Sequence, residues 1–287
     1  MKTISVAHSP DADDIFMYYA IKFGWVTPKD ARFENIADDI ESLNQATLKG
    51  QYDICAISFA LYPFVKDDYA LLKTAVSFGD GYGPKLIKKK GTVLKKNFKV
   101  ALSGEFTTNA LLFKIAYPNA RITYLNFLEI EEAVLNGTVD AGVLIHESIL
   151  TYNQELEVER EMWDIWVELS GGNLPLPLGG MCLRRSIPLN NAINYENTLI
   201  KAVDVANKNR KVLSKMLLEK GLIRVNAETL DKYLDLYAND DSVKMSDIQY
   251  KALDKLYELG YKNGFYENLV KSQDFLIPSE YEELRAK

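Results

Sequence analysis

Hydrophobic and polar positions in the first part of the chain follow two different periods, one typical of strands and one of helices. Thr3–His8 is predicted as a first strand, and Tyr52–Ser58 is almost continuously apolar, as expected of a parallel strand covered on both faces. Between them, apolar residues recur at near-helical spacing over Asp11–Phe23. A second helix is predicted over Asp39–Lys49, with Gly50 placed to end it. The alternation of strands and helices predicts an α/β fold.

The same alternation continues in a second unit that begins near residue 97, and a helical region follows it. Further strands are predicted at Lys85–Lys89, Phe98–Leu102, Arg121–Leu125, Ala141–His146 and Met181–Arg184. Further helices are predicted at Thr107–Tyr117, Glu129–Asn136, Leu199–Lys220, Ala227–Tyr237 and Ser246–Tyr261. The βαβαβ order of the second unit favours a parallel sheet with right-handed crossovers. A Gly/Pro-rich passage over residues 171–180 leads out of it.

One pattern occurs twice. Residues 48–58 and 135–146 both contain Leu-x-Gly-x-x-Asp followed by an apolar run, and these runs end at Ser58 and His146. Two generic αβ units could share a Gly and an Asp by chance, and that alternative stays open. If each unit belongs to a separate lobe, Ser58 and His146 should face each other across a cleft, because ligands of open α/β sheets lie beyond the carboxyl ends of the strands.

The repeated helix–Gly-x-x-Asp–strand unit resembles the type II periplasmic-binding-protein fold, which is two-lobed with a ligand cleft between the lobes. That resemblance implies a chain that leaves the first lobe, builds the second and returns. We therefore expect lobe one to comprise residues 1–95 and 180–287, including the C-terminal helices, and lobe two to comprise residues 96–179.

Composition narrows the functional classes. The net charge of -6 and the pI near 5.2 argue against a nucleic-acid partner. No stretch reaches the roughly 18 apolar residues of a membrane helix, and the N-terminal apolar run is too short for a signal peptide, so we expect a cytoplasmic protein. Cys55 and Cys182 lie in apolar runs typical of buried free thiols. With two histidines in the chain, an ordinary zinc site is disfavoured and no metal is expected.

Three segments could carry chemistry at the cleft. His146 is the best candidate for a group that accepts a proton near neutral pH, although a structural histidine bonded to a carbonyl would show the same pattern. Thr107, Thr108 and Asn109 follow a strand and begin a helix, where free amides and the helix dipole favour an anion such as a carboxylate. An ordinary threonine N-cap would be compatible with that role.

The third segment follows the first strand. Ser9 should line the cleft at the carboxyl edge of that strand. Asp11, Asp13 and Asp14 come next and could simply stabilise the dipole at the start of the helix. The three carboxylates could also suggest magnesium, but the chain has no phosphate loop to accompany it.

Several segments, in their order and spacing, resemble the 1,4-dihydroxy-6-naphthoate synthases of the futalosine route to menaquinone. The similarity runs from about residue 4 to residue 185. The segments are Ser9-Pro10 with Asp14-x-Phe16, Asp39-x-Glu41-x-Leu43-Asn44, Gly83-Pro84, Thr107-Thr108, Ile145-His-Glu-Ser148 with Thr151-Tyr152, and Leu174-Pro-Leu-Pro-Leu-Gly179.

The resemblance implies a lyase without cofactors that converts cyclic dehypoxanthinyl futalosine to 1,4-dihydroxy-6-naphthoate and releases a small sugar-derived fragment. It implies that His146 is the proton-abstracting base. It also implies substrate contacts at Ala56, Ile57 and Ser58 and at the Thr107–Thr108 pair. The partner we expect is a small-molecule carboxylate, with no membrane or nucleic acid involved, and a homodimer is left open.

The first turn departs from the family pattern. The family commonly has Ser-Pro-Cys-Pro-Asn-Asp where this chain has Ser-Pro-Asp-Ala-Asp-Asp. The added charges of Asp11 and Asp13 would oppose a substrate carboxylate if they pointed inward, so we expect them to face solvent or the carboxylate to be held elsewhere, at Thr107 and Thr108. Two other functions remain as alternatives: the chorismate dehydratase of the same pathway and a non-catalytic protein that binds small anions. An effector domain of a transcription factor would need a helix-turn-helix for which the chain has no room.

Overall fold

The chain folds around two β-sheets, as a computed structural model that describes residues 2–238 and 242–278 shows. The strands are β1 (Lys2–His8), β2 (Ala31–Ala37), β3 (Ile54–Ser58), β4 (Tyr69–Leu71), β5 (Ser77–Gly79), β6 (Lys85–Lys89), β7 (Lys99–Leu102), β8 (Arg121–Tyr124), β9 (Ala141–Leu144), β10 (Leu156–Glu161) and β11 (Leu176–Arg184). The helices are α1 (Ala12–Lys22), α2 (Ile40–Leu48), α3 (Tyr62–Val65), α4 (Thr108–Ala116), α5 (Ile130–Leu135), α6 (Met162–Ser170), α7 (Leu189–Lys208), α8 (Arg210–Glu219), α9 (Ala227–Tyr237) and α10 (Asp247–Lys262).

The first sheet has the order β2-β1-β3-β11-β4, and β5 also pairs with β11. β1 is parallel to β2 and β3, whereas β11 is antiparallel to β3. The strands β1 and β3 are buried along most of their length, and their side chains form a continuous apolar core with α1 and α2. Because β1 and β3 run in the same direction, the residues that follow them emerge at one edge of this sheet.

The second sheet has the order β10-β6-β9-β7-β8. β7 is parallel to β8 and β9, as the sequence predicted, but β6 and β10 add an antiparallel half. This half was not expected, because the charged strand β10 has no continuous apolar run to mark it.

The sheet pairings correct the expected lobe boundary. β6 lies within residues 1–95, which we assigned to lobe one, yet it pairs with β9 and β10 in the second sheet. The chain therefore crosses between the sheets after Gly79 and before Lys85, and it returns between Ser170 and Leu176. Strand pairing decides the boundary, and it depends on a contact with β9 that lies more than 50 residues further along the chain.

Local structure agrees with the sequence pattern at most predicted elements and departs from it at two. Predicted helix Leu199–Lys220 is instead two helices, α7 and α8, separated at Asn209. The strand predicted to end at His146 ends two residues earlier, and His146 begins a short 3-10 helix. Cys55 and Cys182 are buried free thiols, as predicted.

Three of the C-terminal helices pack against α1. α7, α8 and α9 all contact it, and α9 turns Tyr233 and Tyr237 toward the inside. None of the helices in the described ranges is long and apolar enough to cross a membrane. The packing of α9 on α1 brings residues more than 200 positions apart to the same edge of the first sheet.

Candidate active site

A cavity lies between the two sheets, with about 720 Å³ of space when its open mouth is included. Every residue that the sequence suggested for the site lines it: Ser9, Ala56, Ile57, Ser58, Thr107, Thr108, Asn109 and His146. Their proximity follows from the two sheets, because each residue lies at or beyond the carboxyl end of a strand. The role of each residue stays a prediction.

His146 is part of the cavity wall. Its Nδ1 lies 2.9 Å from Oδ2 of Asp11, and its ring meets Phe127 edge-on with the ring centroids 5.0 Å apart. Its Nε2 is buried and has no hydrogen-bond partner in the described residues. The backbone of His146 has φ 54°, in the left-handed region that costs a non-glycine residue roughly 1–2 kcal/mol. A strained backbone and an unpaired ring nitrogen both favour a functional histidine over one bonded to a neighbouring carbonyl.

The pKa of His146 lies well above its usual value. Burial by itself lowers the pKa of His146, but the charge and hydrogen bond of Asp11, with the further charges of Asp13 and Glu147, raise it to about 9. Attraction to His146 is also a main reason why the pKa of Asp11 lies below its usual value despite burial. At pH 7 the resting site therefore holds an ion pair of imidazolium and carboxylate.

The acidic first turn of α1 faces inward. Asp11 and Asp13 are buried, and Asp13 and Asp14 line the cavity. The expectation that Asp11 and Asp13 could face solvent is thus wrong, because the packing of α9 against α1 covers them. Burial, followed by the neighbouring charges of Asp14 and Asp11, raises the pKa of Asp13 well above its usual value. Asp13 also accepts a hydrogen bond from the Tyr233 hydroxyl at 3.3 Å.

Glu147 links the two lobes beside His146. Its Oε1 accepts a hydrogen bond of 3.0 Å from the amide of Ala12, at the start of α1. Its Oε2 lies 3.3 Å from Arg224, which also lies 2.7 Å from Oδ1 of Asp11. Glu147 therefore caps the first turn of α1 across the cleft and makes no direct hydrogen bond to the imidazole among the described contacts.

The start of α4 is another part of the cavity wall. Thr107 is the N-cap, and its hydroxyl accepts from the Ala110 amide and donates to the Gly104 carbonyl. The Thr108 hydroxyl donates to the Leu178 carbonyl in the first lobe at 3.0 Å. Both hydroxyl protons are thus used within the protein. The described contacts leave the amides of Thr108 and Asn109 without a partner, and these can hold an anion.

Ser58 also lines the cavity, and a neighbouring residue orients its hydroxyl. The Asn44 side chain donates to Ser58 Oγ at 3.1 Å and accepts from the Ser58 amide at 3.0 Å. Because Asn44 satisfies the oxygen of Ser58, the hydroxyl proton remains available to a ligand. Asn44 is fully buried on α2, so this pair is rigidly held.

Four residues of the site were missed by the sequence analysis: Ser103, Arg224, Tyr233 and Tyr237. Ser103 Oγ, Asn109 Oδ1 and His146 Nε2 are buried without partners in the described residues, and all three residues line the cavity. Unsatisfied buried polar atoms that converge on one cavity indicate a polar ligand. Ser103 follows strand β7 and could have been found by the strand-end rule. Nothing in the sequence marks the others, because they come from the packing of the C-terminal helices.

Across residues 2–238 and 242–278, no group of three or more His, Cys, Asp and Glu side chains is arranged to hold a metal ion. Asp11 and Glu147 are bound to Arg224 instead.

Comparisons with known proteins identify the family of this chain. A family described as "Menaquinone biosynthesis" matches residues 4–262. Two curated relatives carry the name 1,4-dihydroxy-6-naphthoate synthase. The Streptomyces coelicolor protein is 29% identical over 258 residues, which are 88% of this chain and 90% of the relative. The Thermus thermophilus protein is 27% identical over 264 residues, which are 90% of this chain and 93% of the relative.

Solved structures show the same fold. A crystal structure of an Archaeoglobus fulgidus protein has a TM-score of 0.84 and 33% identity, covering 91% of this chain and 98% of that one. The ligand-binding component of an ABC-type import system from Staphylococcus aureus has a TM-score of 0.70 with 12% identity over 99% of both chains. At that identity the second similarity shows the fold alone, and it confirms the predicted periplasmic-binding-protein-like architecture.

Proposed function

The chain belongs to the menaquinone biosynthesis family, and on that premise we propose that it is a lyase that converts cyclic dehypoxanthinyl futalosine to 1,4-dihydroxy-6-naphthoate. The names of its two curated relatives support this product. The observation that carries the proposal is the placement of His146, which has an unpaired Nε2 and lines the same cavity as a set of free anion-binding donors. A base and an anion site in one cavity suit a substrate that carries both an acidic proton and a carboxylate.

The carboxylate is held at the start of α4 in this proposal. The free amides of Thr108 and Asn109, at the positive end of the helix dipole, are supported by the hydroxyls of Ser58 and Ser103. All of these are neutral donors. They hold an anion away from the acidic first turn of α1, whose charge is balanced by His146 and Arg224.

His146 removes a proton from the ring system of the substrate. The proton passes to Nε2, and Asp11 stabilises the positive charge that results on the ring. Positioned base catalysis of this kind contributes about 10²–10⁴-fold in rate. The aromatic product makes the later steps favourable. Since the pKa of His146 is about 9, only a minor fraction of the enzyme has the base form at pH 7, but that form is a strong base.

Contacts between the lobes support a closed site. Thr108 of the second lobe bonds Leu178 of the first, and Glu147 bonds Ala12 on the other side of the cavity. Such contacts on both sides of a ligand exclude water from a reactive intermediate.

The test is to incubate the purified protein with cyclic dehypoxanthinyl futalosine and measure 1,4-dihydroxy-6-naphthoate by mass spectrometry. We expect product with the wild-type protein and a loss of about 10²-fold or more in kcat with His146→Ala, with product binding retained. Normal turnover by His146→Ala would refute the assignment of the base. Consumption of chorismate instead would identify the dehydratase, and tight binding of the substrate without conversion would identify a non-catalytic anion-binding protein.

A further inference from the structure

The first turn of α1 contains a carboxylate that does not serve its own helix. Asp11 is the N-cap residue of α1, yet its side chain makes no capping hydrogen bond to that helix. Glu147 from the other lobe accepts from the first amide of α1 instead. Asp11 is 1% exposed, so its placement is not that of a solvent-facing charge that merely favours a helix dipole. Its carboxylate is turned toward His146.

Both oxygens of Asp11 are fixed by other groups. Arg224 Nη2 lies 2.7 Å from Oδ1, while Oδ2 accepts from the Ser9 hydroxyl and lies 2.9 Å from Nδ1 of His146. Arg224 is itself located by Glu147 and by the ring of Phe127, whose centroid is 5.1 Å from the guanidinium carbon. The carboxylate cannot rotate without breaking at least one of these contacts.

The geometry also decides which ring nitrogen of His146 carries the proton in the neutral form. An ionised carboxylate only accepts hydrogen bonds, so Nδ1 facing Asp11 must be the N–H nitrogen. The lone pair of the neutral ring then belongs to Nε2, which has no partner in the described residues and belongs to a residue of the cavity wall. Phe127, which packs edge-on against the imidazole ring, offers no competing hydrogen-bond acceptor.

We propose that Asp11 is the positioning residue of His146: held by Ser9 and Arg224, its carboxylate fixes Nδ1 as the protonated nitrogen and presents Nε2 to the ligand. What the imidazole does to the substrate rests on the proposed function, but the orientation of the ring does not. The other charged groups that face His146 are Asp13 on α1 and Glu147 on its own turn, and both act on it through charge without a described hydrogen bond.

NMR of ¹⁵N-labelled imidazoles tests this without any substrate. The chain has only two histidines, and the signals that vanish in His146→Gln identify His146. In the wild-type protein we expect a midpoint near pH 9 and, above it, ¹⁵N shifts of the Nδ1–H tautomer. In Asp11→Asn, which retains an oxygen acceptor without charge, the midpoint should fall by about one unit or more. Asp13→Asn is the control for loss of a carboxyl on the same helix, and it should shift the midpoint less.

The tautomer and the kinetics separate positioning from simple packing. In Asp11→Ala the neutral ring should shift toward the Nε2–H form, and kcat should fall much more than KM rises. The acid limb of kcat/KM should move to lower pH in Asp11→Asn, by about as much as the NMR midpoint. An Nε2–H tautomer in the wild-type protein, which needs no variant to fold, would overturn the proposal, as would an unchanged midpoint in Asp11→Asn. If these NMR results hold but no naphthoate forms, the proposed function fails and the positioning role stands.

Discussion

The ion pair between Asp11 and His146 predicts how activity depends on pH. A base must be deprotonated to act, and attraction to the buried carboxylate keeps His146 protonated well above the usual pKa of 6.5. Raising the pH of the assay is therefore the perturbation, and kcat/KM should rise with it because kcat/KM reports the pKa values of the free enzyme.

The pKa of about 9 sets the size of the effect. Two units below that value, at pH 7, about 1% of the enzyme carries a neutral His146. Between pH 7 and pH 9 the value of kcat/KM should thus increase roughly tenfold per unit before it levels off, and about 50-fold in all. An unperturbed histidine would give a plateau already above pH 7.

The assay is the initial rate of naphthoate formation at subsaturating substrate, between pH 6 and pH 10. Circular dichroism at each pH, with a return to pH 7 that restores the rate, controls for unfolding. A plateau of kcat/KM that begins at or below pH 7 would refute the reasoning, because it would show that Asp11 does not raise the pKa of the base. A rise that persists unchanged in His146→Gln would show that another group titrates.

Two further predictions concern stability and lobe closure. The pKa of His146 is higher in the folded protein than in the unfolded chain, so protonated His146 adds about 3 kcal/mol to the free energy of unfolding. This contribution is complete below pH 6.5 and is lost as the pH rises through about 9. Urea unfolding of the wild-type protein and His146→Gln at pH 6.5 and 9.5 checks this, and an equal pH dependence in both would contradict it. Gly104→Ala should weaken product binding about tenfold, as measured by calorimetry. The added Cβ would lie 2.2 Å from Glu41 Oε2 across the cleft. It would therefore displace this oxygen, which accepts a hydrogen bond from the Phe106 amide. Glu41→Ala, which loses that bond without adding an atom, is the control and should bind more tightly than Gly104→Ala.

Much of the site could be predicted from the sequence because its parts are local. An apolar run marks a buried strand wherever it occurs, and the residue that follows the run lies at the carboxyl edge of the sheet. Ser58, Thr107 and His146 were found in this way, and the structure brings all three to one cavity. The repeated Leu-x-Gly-x-x-Asp segments also predicted a fold with two lobes, because each repeat builds a helix–strand unit.

The tertiary structure decided what those residues are bonded to. Asp11 had the same sequence pattern as an ordinary acidic first turn, and only the packing of α9 on α1 buried it beside His146 and brought Arg224 to it. The protonation of His146 likewise depends on burial and on a carboxylate 135 positions away, so no local pattern could reveal it. The observed lobe boundary differs from the expected one for the same reason, because β6 joins the second sheet through its pairing with β9. Hydrophobic periodicity reports on neighbours within a few residues along the chain, whereas charge, tautomer and strand partner are set by contacts between distant segments.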